Sequence, residues 1–265
     1  MTTRYQGDFI AWPGGCGLLG LGGGAPIDTH SHYAIQLVIG APSGLKVRVG
    51  RQGDLQPCAA ALIPSRAPHT IAIDDCRWSA VLFIEPETTE GKALTALLAG
   101  QPLFLETEAI HAGAQRLEQA WLVEQSAELA GAACMDLVRG LAQARAPEPT
   151  DARVLAVVAH IQRHVDQPVT LDEAAAIAGL SASRLRHLFV AETGMPLRTY
   201  VLWRRLLHVW TLLVQGETLA GAAHAAGFAD SAHLSRTART MFGLPPSAMQ
   251  LTGPLTARRR AQIHG

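Results

Sequence analysis

Thr170-Leu171-Asp172-Glu173-Ala174-Ala175-Ala176-Ile177-Ala178-Gly179-Leu180-Ser181-Ala182-Ser183-Arg184-Leu185-Arg186-His187-Leu188-Phe189 and, later, Leu219-Ala220-Gly221-Ala222-Ala223-His224-Ala225-Ala226-Gly227-Phe228-Ala229-Asp230-Ser231-Ala232-His233-Leu234-Ser235-Arg236 follow one pattern. Each has a short Ala-rich helix, a glycine, one apolar residue, a polar residue fit to start a helix, and then a basic helix. The glycines, Gly179 and Gly227, are 48 residues apart. Two like helix pairs, each with a basic second helix, point to a duplicated DNA reader over residues 151–251.

The spacing predicts a helix over 152–164, with Asp151 as cap and Val154, Val157, Val158 and Ile161 on one face. Thr170 and Glu173 form a capping-box spacing before Leu171–Ala178. The first reading helix is expected over 182–192, with Ser181 as cap and Leu185, Leu188 and Phe189 as its buried stripe. That leaves Ser183, Arg184, Arg186 and His187 outside. Leu197–Val214 reads as one long helix of about 27 Å, a length that could set two readers in successive major grooves. Its Arg198, Arg204 and Arg205 are either solvated or phosphate contacts. The second pair is expected at Leu219–Ala226 and Ser231–Phe242, with Asp230 as cap. Ser231, Ala232, His233, Arg236 and Arg239 remain for DNA. Arg, His and Ser side chains can reach phosphates or base edges, whereas Ala232 can make only apolar contact. A last short helix is expected near 247–251, and 252–265, with Arg258-Arg259-Arg260, reads as a basic tail.

This stretch resembles the DNA-binding domain of AraC/XylS-family transcription regulators. The residues that carry the likeness are Ser183-Arg184-Leu185-Arg186-His187-Leu188-Phe189, Gly194, Tyr200, Arg205-Leu206, Leu212-Leu213, Gly227-Phe228, Asp230-Ser231, His233-Leu234-Ser235-Arg236 and Phe242-Gly243-Leu244-Pro245-Pro246. The resemblance implies an all-α domain with two helix-turn-helix units joined by a long helix, both second helices entering the major groove. By matching positions, Ser183, Arg186, His187, Ala232 and Arg236 would face bases. Where the family commonly has larger residues, this chain has Ala222-Ala223, Leu234 and Ala238. A thinner second core is therefore expected, with the first unit as the anchor.

Residues 1–150 differ in kind. They carry 10 Lys+Arg against 15 Asp+Glu, a net of −5, while 151–265 carry 12 Arg against 7 Asp+Glu, a net of +5. A basic half beside an acidic half favours nucleic acid as a partner of the former. With 17% charged and 48% hydrophobic residues the chain is a folded protein, not a disordered one. Short apolar runs broken by Gly and Pro predict strands near 8–12, 17–21, 33–39, 45–49, 59–63, 70–73 and 78–84, a sandwich or small barrel. Helices are expected at 92–98, 108–125 and 127–144. The last two either cover the core or form the seam of a homodimer. Pro147 and Pro149 mark a linker over 145–150. Cys16, Cys58, Cys76 and Cys134 form no CxxC pair and read as buried hydrophobes of a reducing cytoplasm. No leader peptide and no membrane span is expected.

The chemistry of this half gathers at His30-Ser31-His32, Gln36 and Pro64-Ser65-Arg66-Ala67-Pro68-His69. Residues two apart on a strand share a face, so His30, His32 and Gln36 can line one cavity, with His69 completing the group. Such a set could hold a small ligand or a divalent transition metal. The pattern is similar to the cupin motifs, with Gln36 in place of the acid and Arg66 in place of the glycine. A neutral set without carboxylate suits zinc, copper or nickel.

The expected fold is therefore α+β: a cupin-like β-barrel or sandwich with two accessory helices over 1–144, and a double helix-turn-helix domain over 151–251. The expected function is a cytoplasmic, non-enzymatic regulator. Its partners would be double-stranded DNA, a small-molecule or metal effector, and RNA polymerase if it activates. The alternative is a cupin-type metal-binding enzyme, or a metal sensor, with a DNA-binding domain.

Overall fold

The computed structural model describes residues 5–22, 26–143 and 149–257. Its N-terminal part holds β1 (Tyr5–Trp12), β2 (Gly15–Leu21), β3 (Ile27–His30), β4 (Ile35–Ala41), β5 (Lys46–Val49), β6 (Gln56–Pro57), β7 (Ala60–Ile63), β8 (His69–Ala72), β9 (Trp78–Ile84) and β10 (Leu103–Leu105). Three helices accompany them: α1 (Thr89–Leu98), α2 (Glu108–Glu118, continued as one π turn over Gln119–Val123) and α3 (Ala127–Ala142). A seven-stranded sheet runs in the order β10-β7-β4-β9-β2-β1-β11, where β11 is Met249–Leu251. A four-stranded sheet runs β3-β8-β5-β6.

Period-2 alternation sorts the large sheet into two cores. Leu19, Leu37, Ile39, Trp78, Leu82 and Ile84 face α1–α3, meeting Leu117, Trp121 and Leu137. Cys16, Leu18, Val38, Val81 and Phe83 point the other way, toward the small sheet. The four cysteines are buried and unpaired, and burial raises every thiol above its usual range. They act here as small apolar residues.

The C-terminal part holds α4 (Ala152–Arg163), α5 (Leu171–Ala178), α6 (Ala182–Thr193), α7 (Leu197–Val214), α8 (Leu219–Ala225) and α9 (Ser231–Phe242). Caps fall where the sequence places them. Thr170, Ser181, Thr218 and Asp230 each accept a backbone N–H of the first turn. Gly179, Gly194, Gly227 and Gly243 take positive φ, the left-handed turn that an L side chain resists.

Four expectations give way. First, the segment expected as a helix over 247–251 is a single 3₁₀ turn, Pro246–Ala248, followed by β11, which pairs in parallel with β1. Strand pairing satisfies its backbone groups and completes the sheet edge of the other domain. Second, residues 252–257 are not a loose tail. Buried Asp8 accepts from the backbone N–H of Leu255 and Thr256, from the Thr256 hydroxyl and from Trp121 Nε1. Arg258-Arg259-Arg260 lie outside the described residues. Third, the strand expected at 33–39 is β4 alone, and β3, which was not expected, precedes it with a break at 31–34. Fourth, the helix expected over 108–125 carries the π turn before it ends.

The two parts share one apolar core. Trp203 and Trp210 of α7 and Phe242 of α9 pack on Phe83 and Phe9 of the large sheet.

Candidate functional site

The two reading helices expose the expected faces. On α6, Ser183, Arg184, Arg186 and His187 are exposed while Leu185 and Phe189 are fully buried. On α9, Ser231, Ala232, Arg236 and Arg239 are exposed, and Leu234, Ala238 and Phe242 are buried. His233 is half-buried and meets the Phe228 ring edge-on at 5.3 Å, so part of it belongs to the turn's packing. The N-caps also set local charge. The Asp230 carboxyl lies below its usual range, chiefly through the His233 N–H it accepts, so the second helix begins with a fixed anion.

Neither Arg204 nor Arg205 of α7 is free for phosphate. Arg205 donates to three backbone carbonyls: Nε to Val165 at 3.1 Å, one terminal nitrogen to Gly227 at 2.6 Å, the other to Gln167 at 3.1 Å. It ties the end of α4 to the turn of the second unit. Arg204 pairs with buried Glu85 of the N-terminal domain. Arg204 lies on the face of α7 turned to the sensor, one turn on from Tyr200, while Arg205, about 100° further round, lies with Val201 and Leu202 on the face turned to the end of α4 and the second turn.

His30, His32 and His69 do come together, although not along one strand. His30 ends β3, His32 lies in the break before β4, and His69 begins β8, directly opposite His30. One ligating nitrogen from each lies within 4.8 Å of the others. Their orientations are fixed alike. Each Nδ1 faces a backbone carbonyl: Asp28 for His30 at 2.8 Å, Ala34 for His32 and Ala67 for His69, both at 2.9 Å. A carbonyl only accepts, so Nδ1 carries the proton and Nε2 is left as a lone pair. Burial holds all three imidazoles below their usual range, His32 at about 4, so the group is neutral near pH 7. His69 Nε2 is buried without a partner. Gln36, on β4, has an amide atom 2.7 Å from His32 Nε2. Against a neutral, accepting Nε2 that atom must be the amide NH₂.

Beside the triad lies a cavity of about 40 Å³ between the two sheets. Its polar groups are few: Tyr5, His30, Gln36 and Ser79 among Leu18, Ile27, Ile71, Ile73, Val81 and Phe83. The rest of its wall comes from the other domain: Phe242, Leu244 and Met249. A Cβ on Gly243 would stand 2.7 Å from His30 Nδ1 and 2.6 Å from Ile27 Cγ2. The C-cap of the second reading helix therefore rests on the histidine group. Sequence reading placed the histidines in a cavity but missed this closure. The apolar run Phe242 to Met249 was its one available signal.

With this geometry in view, comparisons with known proteins can be placed. The Helix-turn-helix domain family matches residues 174–251. Two regulators are similar in sequence over about a hundred residues each. The HTH-type transcriptional regulator GbdR of Pseudomonas aeruginosa is 30% identical over 100 residues, 37% of this chain and 27% of GbdR. The multiple antibiotic resistance protein MarA of Escherichia coli is 27% identical over 105 residues, 39% of this chain and 83% of MarA. The match thus spans about a quarter of GbdR's length. In structure the chain is similar to ToxT from Vibrio cholerae, with a TM-score of 0.58 over 89% of this chain and 96% of ToxT at 11% identity. That likeness extends the common fold to the N-terminal domain. A further ToxT structure, at a TM-score of 0.54, holds an unsaturated fatty acid.

Proposed function

We infer that this chain, whose C-terminal domain is an AraC-type helix-turn-helix domain, is a cytoplasmic, sequence-specific transcription regulator rather than an enzyme. One observation carries the reading. Two equivalently capped helices, α6 and α9, turn Ser183, Arg184, Arg186 and His187, and Ser231, Ala232, Arg236 and Arg239, outward. Such faces suit base edges and phosphates of double-stranded DNA. Selection of a binding sequence from random duplexes tests this. The protein should enrich two half-sites about one helical turn apart, and Arg186→Ala should relax preference in one of them. Enrichment of no sequence above the starting pool would end the reading.

The N-terminal domain acts as the sensor. A mostly apolar cavity with a few convergent polar atoms suits a ligand with one polar end, and at about 40 Å³ its wall would have to move apart to admit more than a few waters. A ToxT structure holds an unsaturated fatty acid, a molecule with one polar end but larger than this cavity. A ligand there would touch Phe242, Leu244 and Met249, so its effect reaches the second reader by direct contact. The exposed side of α2 and α3 is available for a homodimer seam, and RNA polymerase would be a partner if the chain activates.

A second reading is favoured by the histidine triad. Three neutral imidazoles whose Nδ1–H groups are held by carbonyls, with one nitrogen of each within 4.8 Å of the others, have the outer-shell support of a metal site once the Gln36 amide turns away from His32 Nε2. A metal would also give the orphaned His69 Nε2 a partner, as a buried water would. His30, His32 and His69 would ligate, with Gln36 beside them, and soft-to-intermediate divalent ions such as zinc, copper or nickel suit all-nitrogen donors. Elemental analysis of untagged protein separates the readings. About one metal per chain, lost in the His30→Ala/His32→Ala double variant, is the metal reading's result. Metal-free protein after incubation with zinc, copper and nickel salts would exclude it.

A further inference from the structure

Between the sensor and α7 a polar cluster interrupts an otherwise apolar joint. Glu85 and Glu87, just past β9, are both buried. Facing them are Tyr200, Trp203 and Arg204 of α7. Arg204 pairs with Glu85, and Trp203 Nε1 donates to the same carboxylate oxygen at 3.3 Å. Tyr200 Oη donates to Glu87 Oε1 at 2.6 Å, and the Thr150 hydroxyl donates to the Glu87 carbonyl at 2.6 Å. Glu87 Oε2 is buried without a partner. The joint thus encloses two carboxylates and one guanidinium, and that guanidinium is engaged by Glu85. Among the described residues the other titratable groups facing the pair are the Tyr200 phenol and, against Glu85, the Cys16 thiol of β2. Both are held neutral, primarily by burial and then by the carboxylates themselves. An ionised Glu87 would be an uncompensated buried charge.

We propose that the joint between sensor and reader is a proton-dependent clamp, closing with Glu87 as the neutral carboxylic acid and loosening when that proton is lost. On closing, one proton from solvent binds the Glu87 carboxylate, and on opening the carboxylate returns to water. How firmly α7, and with it both readers, is held against the sensor then follows pH, with or without an effector in the cavity.

The pH window follows from the closed state, where burial first and the Glu85 charge second push Glu87 up to about 7, from an ordinary 4.5. A group raised on closing gives a stabilisation that is complete below about 4.5. It is lost as pH rises to about 7 and stays level beyond. Closing should therefore weaken on the order of tenfold or more between about pH 5.5 and about pH 8.5.

Hydrogen exchange on the intact chain reads this directly, using the Trp203 indole N–H and the α7 amides, corrected for the intrinsic pH dependence of exchange. Wild-type protection should fall by that factor, whereas Glu87→Gln, a permanent mimic of the acid form, should give protection that does not vary with pH. Equal wild-type protection at the two pH values, or an undiminished pH dependence in Glu87→Gln, would overturn the clamp. An arm that needs no variant is carboxyl-carbon NMR of the wild type. A Glu87 resonance titrating near 7 is expected, and a midpoint below about 5.5 would overturn it equally.

Discussion

The two reading units align with an offset of 49 residues, as their caps Ser181 and Asp230 and their closing glycines Gly194 and Gly243 show. At that offset Phe189 of the first stands where the second has Ala238, and Phe242 of the second stands where the first has Thr193. In the first unit the bulk is internal. Phe189 packs edge-on against Tyr200 at 5.4 Å, within the domain. The second has moved its aromatic ring to the end of the reading helix, where it meets Phe83 of the sensor at 4.8 Å and Trp203 at 5.3 Å. So the first unit is completed by its own domain and the second by the sensor. The first touches the sensor mainly at its rim, through Lys92 and Glu192 at 2.6 Å. On the proposed reading, this difference would give an effector in the cavity a direct route to one of the two units.

Core substitutions give the largest test of the contrast. Phe242→Ala and Phe189→Ala should each cost about 3–5 kcal/mol in urea unfolding. They should differ in where the loss is felt. Exchange protection should fall in both β9 and α9 for Phe242→Ala, and in α5 and α6 alone for Phe189→Ala. Loss confined to the C-terminal domain in both variants would remove the distinction. Next, Arg205→Ala removes three charge-assisted bonds to carbonyls and should cost about 2 kcal/mol or more. It should also broaden the tolerated half-site spacing in DNA binding, because it unties the end of α4 from the second turn. An unchanged spacing preference would leave Arg205 as a stabilising residue only. Arg236→Ala should cost about 1–3 kcal/mol of operator binding and relax one base position. Equal loss on random duplex would instead make it a phosphate contact. The smallest effect belongs to Lys92→Ala, below about 1 kcal/mol, because the pair is partly solvated. A larger loss would mean that the first unit too leans on the sensor.

Much of this contrast stood in the sequence. Helix limits at 171–178, 197–214 and 231–242 followed from caps and period, and strand 78–84 from an apolar run interrupted only by Ser79. The small residues Ala222 and Ala238 were legible as a thinner second core. What fills the gap was not, because Phe242 and Phe83 are 159 positions apart and no local pattern joins them. The same holds for β11. Its three residues carry no strand signal of their own, and only the open edge of β1 makes them one. The histidines were found by residue type. Their shared tautomer, however, depends on which carbonyls the chain reversal at 31–34 and the turn before β8 present. Arg204 and Arg205 misled because a helical arginine in a DNA-binding domain looks like a phosphate contact until its face is known.

The central claim is that the second reader, and not the first, closes the sensor's cavity. Filling the cavity from within tests it most directly. Ile71→Phe adds bulk to the sensor's part of the cavity wall, away from both reading faces, and overpacking must be relieved where the wall can move. Footprinting on the selected operator should then show altered protection over the half-site read by α9 and unchanged protection over that read by α6. Equal change in both half-sites, or change over the α6 half-site alone, would contradict the account.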